Sequence, residues 1–282
     1  MIKVIDPGFY TSIQDKGRFG FQNYGVPVSG SMDDNSAEIA NKILGNLTSE
    51  ALLELTMTGC CLKFEKNAII ALTGSDMNAK LNGFSIEMYN KIDVEEGDVL
   101  SFGRLEYGFR TYIAFQGGIK SEKVMKSRCM YKGITECFKI QKNDKIVLNN
   151  SIKKSRSINQ EKTQKLILSD NIECYKGPEF HKLNKKNKEN LLQKQFSISN
   201  NHNRMGYILN EKIQNNIKPI ITSHVIPGTV QLTPGGKIII LMRDCQTTGG
   251  YPRILQLTNN AINILSQKMT NSEIKFNIKQ IS

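Results

Sequence analysis

The feature that most constrains this chain is a succession of short apolar runs, each stopped within a few residues by Gly, Asn or Asp. Cys61–Phe64, Ala68–Thr73, Val99–Phe102, Tyr112–Phe115, Ile146–Leu148, Leu166–Leu168 and Ile238–Met242 have the length of strands and are too short for helices. Glu96-Gly97-Asp98 and Pro234-Gly235-Gly236 separate apolar segments as hairpin turns do. Punctuation this frequent favours sandwiched or closed antiparallel β structure, so the chain is expected to be mainly β. Two helices interrupt it. One follows Ser31-Met32-Asp33, with Ala37, Ala40, Ile43 and Leu44 on one face and Gly45 as its stop; the other begins at Thr258 or Asn259 and buries Ala261, Ile264, Leu265 and Met269.

At 282 residues and 39% hydrophobic content, two cores can be filled. The polar stretch 149–165 is the expected linker, dividing an N-terminal β domain (1–160) from a C-terminal one (161–282). Ile69–Asp76 and Ile238–Asp244 both run an apolar strand into an Asp, a faint echo of duplication. No run approaches the roughly 20 apolar residues of a membrane helix. The start, MIKVIDPGFY, lacks a secretion signal, so the cytoplasm and no membrane partner are expected.

The formal charge of +12 raises nucleic-acid binding. Much of the excess lies in Asn149–Lys165 and His181–Lys194, which nearly lack aromatic residues to stack on bases and read as solvated loops, so no nucleic-acid partner is expected. Six cysteines show no CxxC pair, and three histidines show no HxH or HExxH spacing, so neither a disulfide framework nor a metal site is expected.

Chemistry-bearing side chains concentrate in a few glycine-rich segments. Gly8 to Arg18 combines Thr11, Ser12, Gln14, Asp15 and Arg18; it reads either as a ligand loop, with Arg18 forking onto a carboxylate or phosphate, or as a turn closed by Asp15–Arg18 pairing. Tyr24 to Asp33, containing Ser29, leads into the first helix, where Ser31 or Asp33 serves as cap or the loop lines a cleft. Arg204, beside Gly206, binds substrate or clamps a loop. The densest block pairs Pro227–Gln231 with Met242–Pro252: Asp244 sits at a strand end, and Gln231, Gln246 and Thr247 are neutral groups suited to an amide. Cys245 reads as a small buried hydrophobe rather than a nucleophile.

Taken together, Thr11–Asp15 with Gly17-Arg18, Gly25-Val26-Pro27, Ser29-Gly30, Met32-Asp33, Leu53-Glu54, Leu72-Thr73-Gly74, Gln116-Gly117-Gly118, Asn203–Gly206, Pro227–Thr229 with Gln231, and Asp244 with Gln246–Pro252 resemble one family: the C component of the bacterial ATP-dependent 5-oxoprolinase, the KipA-like or allophanate hydrolase subunit 2-like proteins. The resemblance implies two cyclophilin-like β-barrel domains and an obligate KipI-like partner, the B component. With a third, A component, these open 5-oxo-L-proline to L-glutamate at the expense of ATP with Mg, held at the level of the complex since no GxxxxGK[ST] loop occurs here. It implies Asp15 and Asp244 as catalytic proton acceptors or metal ligands. Arg18 and Arg204 become anion partners, and Ser29, Gln231, Gln246, Thr247 and Tyr251 the remaining substrate-binding residues. Alternative readings are a KipA-like regulator that binds a KipI-like kinase inhibitor, and a carboxyltransferase acting on a urea-like amide; Met125-Lys126-Ser127 is not a biotin carrier motif.

Three stretches depart from the family pattern. Lys126-Ser127-Arg128-Cys129-Met130 stands for Gly-Ser-Arg-Ser-Thr, Thr58-Gly59-Cys60 for Thr-Gly-Pro, and His224 where an acidic residue is common.

Overall fold

A computed structural model describes residues 1–149 and 167–280. The expected linker at 149–165 falls almost wholly outside the described residues, as does the boundary at 160/161. The fold is mainly β, and the chain groups into two compact units: Met1–Arg18 with Asp33–Leu168, and Phe19–Met32 with Ser169–Ser282. The short segment Phe19–Met32 thus belongs with the C-terminal unit, an excursion that a linear reading of the sequence does not contain.

The first unit holds two antiparallel sheets around one core. Six strands run in the order Lys145–Ile146, Ile2–Asp6, Cys61–Phe64, Val99–Ser101, Lys80–Leu81, Phe84–Ser85. Five run in the order Tyr10–Gln14, Leu52–Thr56, Tyr107–Phe115, Ala68–Asp76, Lys91–Val94. Glu96-Gly97-Asp98 joins Lys91–Val94 to Val99–Ser101, which lie in different sheets, so this turn is a corner between sheets and no hairpin. Gly97 takes φ 97°, a left-handed value that side chains with a Cβ resist.

The helix Asp34–Ile43 packs on the strands Ala68–Asp76 and Tyr107–Phe115. Asp33 caps it by accepting from Ser36 N–H, and Gly45 follows it at φ 70°. Beneath the helix start, one row of directly paired residues, Ser12, Glu54, Tyr112 and Thr73, is polar and fully buried. The row is satisfied internally: Tyr112 donates to Glu54 (3.0 Å) and accepts from Asp33 N–H (2.8 Å), while Thr73 donates to Ser36 O (2.7 Å). Burial, with the Glu54 carboxylate beside it, pushes the Tyr112 hydroxyl well above its ordinary value and keeps it a donor.

The second unit is a closed seven-stranded barrel: Asn171–Lys176, Arg253–Leu257, Thr229–Leu232, Lys237–Leu241, Gly206–Lys212, Phe196–His202, Glu273–Ile278, with the last strand parallel to the first. Alternation decides its faces. The row Val230–Ile240–Tyr207 points into the core, and the neighbouring row Gln231–Ile239–Ile208 points outward. Pro234-Gly235-Gly236 closes the hairpin expected of it, and the helix Asn259–Ser266 is capped by Thr258. Met269 lies beyond that helix and is 39% exposed, because the helix ends one turn earlier than its apolar pattern suggests.

Two readings are corrected. His181–Lys194 is no solvated loop: Lys185–Gln193 is a helix, capped by Asn184, that buries Leu191 and Asn187. Its single fully buried apolar residue leaves almost no periodic signal in the sequence. Ile167 and Leu168 are helical rather than extended, with Leu166 outside the described residues.

Candidate functional site

The outward row of the barrel forms the floor of a cleft of about 420 Å³. Ile208, Ile239, Leu241 and Met205 give it an apolar base; Asn200, Asn201, His202 and Asn203 line one wall, and Gln231, Gln246 and Tyr251 complete it. An apolar base with a few neutral hydrogen-bonding groups suits a small uncharged ligand group.

The loop between Leu241 and Arg253 covers part of the outer face. It is tied to the strand Ser223–His224 through Thr248–Gly249 and by Val225 N–H donating to Thr247 O. Beneath it Val225, Leu241 and Cys245 form a small buried cluster. Burial, reinforced by the Asp244 carboxylate, pushes the Cys245 thiol up to about 12, so it packs as a hydrophobe.

The loop also explains why Gln231 is only 1% exposed although it points outward. Gly249 lies over it: a Cβ there would stand 2.6 Å from Gln231 Nε2 and 3.6 Å from Gln246 Nε2. The two amides therefore converge on one glycine, and Gln231 Nε2 is buried with no acceptor among the described residues. Leaving an amide donor unpaired costs about 1–3 kcal/mol, which an incoming carbonyl would recover.

Arg204 and Asp244 are brought together as a buried bidentate pair (Nε to Oδ2 2.8 Å, Nη2 to Oδ1 3.0 Å), and Arg204 Nη2 also donates to Gly30 O at 2.6 Å. Asp244 N–H donates to Arg204 O, so the chain positions flanking Gln246 and Met205 are pinned to each other. Beside Gly30, Ser29 holds φ 60°, is 2% exposed and has an Oγ with no partner among the described residues; its N–H donates to Arg243 O. A strained non-glycine residue with a buried orphan hydroxyl is a feature of functional sites. The Thr247 carbonyl accepts from Val225 N–H, and Tyr251 is 40% exposed at the cleft.

In the first unit, the alternative reading of the N-terminal block as a turn closed by Asp15–Arg18 pairing is corrected. Asp15 accepts from Gly17 N–H (2.8 Å), Ser127 Oγ (2.7 Å), Arg128 N–H (2.7 Å) and Cys129 Sγ (2.9 Å), so its carboxylate organises the turn at 125–129. Arg18 is fully buried and donates through Nη2 to Cys129 O at 2.6 Å; its Nε and Nη1 have no partner among the described residues.

Among the described residues no three His, Cys, Asp or Glu side chains gather as metal ligands. With Asp15 and Asp244 committed as above, the described residues gather no set of acidic donors that fits a Mg ion. Sequence reasoning missed Asn200, Asn201 and His202, which carry no motif and enter the cleft only because their strand borders it in the barrel. A larger hollow, about 870 Å³, lies beside the helix Lys185–Gln193, where Asn187 and Asn215 donate to the backbone carbonyls of Gln214 and Thr233. No described helix is long and apolar enough to cross a membrane.

The second unit is thus a closed β-barrel that bears an amide-lined cleft on its outer face. Residues 24–278 match the carboxyltransferase domain, subdomain A and B, and the chain belongs to that family. It is 32% identical over 261 residues to the C subunit of 5-oxoprolinase from Escherichia coli, covering 90% of this chain and 83% of that protein. It is 29% identical over 285 residues to the corresponding 5-oxoprolinase protein of Haemophilus influenzae, covering 98% and 90%. Among solved structures, Kluyveromyces lactis urea carboxylase superposes with a TM-score of 0.85 at 26% identity, over 98% of this chain and 27% of that one.

Proposed function

We propose that this chain is the C component of an ATP-dependent 5-oxoprolinase, acting with a KipI-like B component and with the A component to convert 5-oxo-L-proline to L-glutamate. The observation that carries this reading is the buried Nε2 of Gln231 at the cleft, which has no acceptor among the described residues, is backed by Gly249 and is accompanied by Gln246. A lactam carbonyl is the acceptor such a donor lacks, and the lactam ring suits the apolar base of Ile208, Ile239 and Leu241. Gln231 would bind and polarise the lactam oxygen, Gln246, Thr247 and Tyr251 would orient the ring, and the Arg204–Asp244 pair would hold the flanking backbone in place. Two relatives named as the C subunit of 5-oxoprolinase, each aligned over most of both chains, support the same reading.

Carboxyl transfer to a urea-like amide is the second reading, favoured by the family match and by the likeness to urea carboxylase. It uses the same cleft, because urea and a lactam both present an amide carbonyl. The test is reconstitution with the A and B components. Glutamate release from 5-oxoproline, coupled to ADP formation, is expected, and Gln231→Leu should lower kcat/KM by about 10- to 100-fold with the complex still assembled. Partner binding without 5-oxoproline turnover would overturn the proposal in favour of a regulator; carboxylation of urea by a supplied carboxybiotin carrier would favour the second reading.

A further inference from the structure

We propose that Arg18 is the binding group for a small oxyanion in the first unit. The guanidinium is 0% exposed, and its one hydrogen bond among the described residues runs from Nη2 to the neutral carbonyl of Cys129. Nε and Nη1 are buried there with no acceptor among the described residues. A cation removed from water and left unpaired is costly, which is why buried charges are almost always matched by an opposite charge.

The same turn contains an acid that could have matched it. Asp15 instead spends Oδ1 on Gly17 N–H, Ser127 Oγ and Cys129 Sγ, and Oδ2 on Arg128 N–H. Lys16, the intervening cation, is engaged with Glu38. Asp15 and Lys16 are thus engaged elsewhere, and the Arg18 guanidinium keeps buried donors that no described residue fills.

The chemistry of those donors selects the ligand. Unfilled N–H groups on two nitrogens of a rigid planar cation are met by an ion that presents several oxygens, and not by a spherical halide. A carboxylate, bicarbonate or phosphate has this form. The inference does not depend on the Gln231 cleft and survives if that reading fails.

The test is the melting temperature of the full chain in sodium phosphate, bicarbonate or acetate, against chloride at equal ionic strength. At least one oxyanion should raise the wild-type Tm saturably, by roughly 5 °C or more at about 100 times its Kd. Which of the three acts distinguishes a phosphate from a carboxylate source. Arg18→Met should abolish the rise and, in chloride, melt at or above the wild type, since it removes an unmatched buried charge. Arg18→Lys, which keeps the charge and loses the planar fork, should lose the preference for oxyanion over chloride. The proposal is overturned if no oxyanion stabilises the wild type beyond chloride, or if Arg18→Met responds as the wild type does. Should Arg18→Met fail to fold, the wild-type comparison and Arg18→Lys still decide it.

Discussion

Lys126 holds φ 66° next to Met125 at φ 51°, at the turn where the resembling family carries Gly in place of Lys126. The backbone there has kept its left-handed path although the residue that favours it is gone. Lys126→Gly should therefore stabilise the protein by about 1 kcal/mol, a Tm rise of roughly 2–4 °C in a thermal melt. Lys126→Ala, which keeps a Cβ, should give no such rise. The neighbouring departure, Cys129 for Ser, costs less: burial, with Asp15 beside it, raises the thiol above its ordinary value, and it still donates to Asp15 as a hydroxyl would. At this scale the sequence was only half legible. Asp15 and Asp244 were visible as acids in polar, glycine-rich blocks, but nothing in a linear string tells that one would be consumed by the turn at 127–129 and the other by Arg204.

The elements around the barrel are held by a second clamp, Arg253 on Glu179, with Nε and Nη2 each 3.0 Å from the carboxylate and Nη1 on Ser223 Oγ at 2.6 Å. The hydrogen bonds from Arg253 outweigh burial and hold the Glu179 carboxyl below its ordinary 4.5. A carboxyl depressed in the folded state contributes stability that is complete above its unfolded value and is lost as pH falls through its folded one. Denaturant midpoints of Glu179→Gln should accordingly lie below the wild type at pH 7, with the gap narrowing below roughly pH 4. Strands such as Cys61–Phe64 and the hairpin at Pro234–Gly236 were readable because alternation and turn residues act over a few positions. The helix Lys185–Gln193 was not, since it owes its place to the packing of Leu191 and to the Asn184 cap rather than to an apolar stripe.

Across the whole molecule, the segment Phe19–Met32 is counted with residues 169–282. Met32 is fully buried in the same core cluster as Val230 and Ile240, and Gly30 O accepts from Arg204. Met32→Ala should cost about 2–4 kcal/mol, as a large-to-small change in that core, and near-ultraviolet circular dichroism should report the loss through the core residue Tyr207. The mainly β class was legible because strand-length runs recur along the whole chain, whereas this long-range membership has no local signature at all.

The placement of residues 19–32 bears on how such a gene can be rearranged. A recombination breakpoint near the middle of the coding sequence would transplant the barrel strands without the arm that supplies Met32 and the Gly30 carbonyl. The heritable module is therefore the entire reading frame from residue 19 onward, and a chimera joined at its midpoint would inherit a barrel lacking one of its own parts.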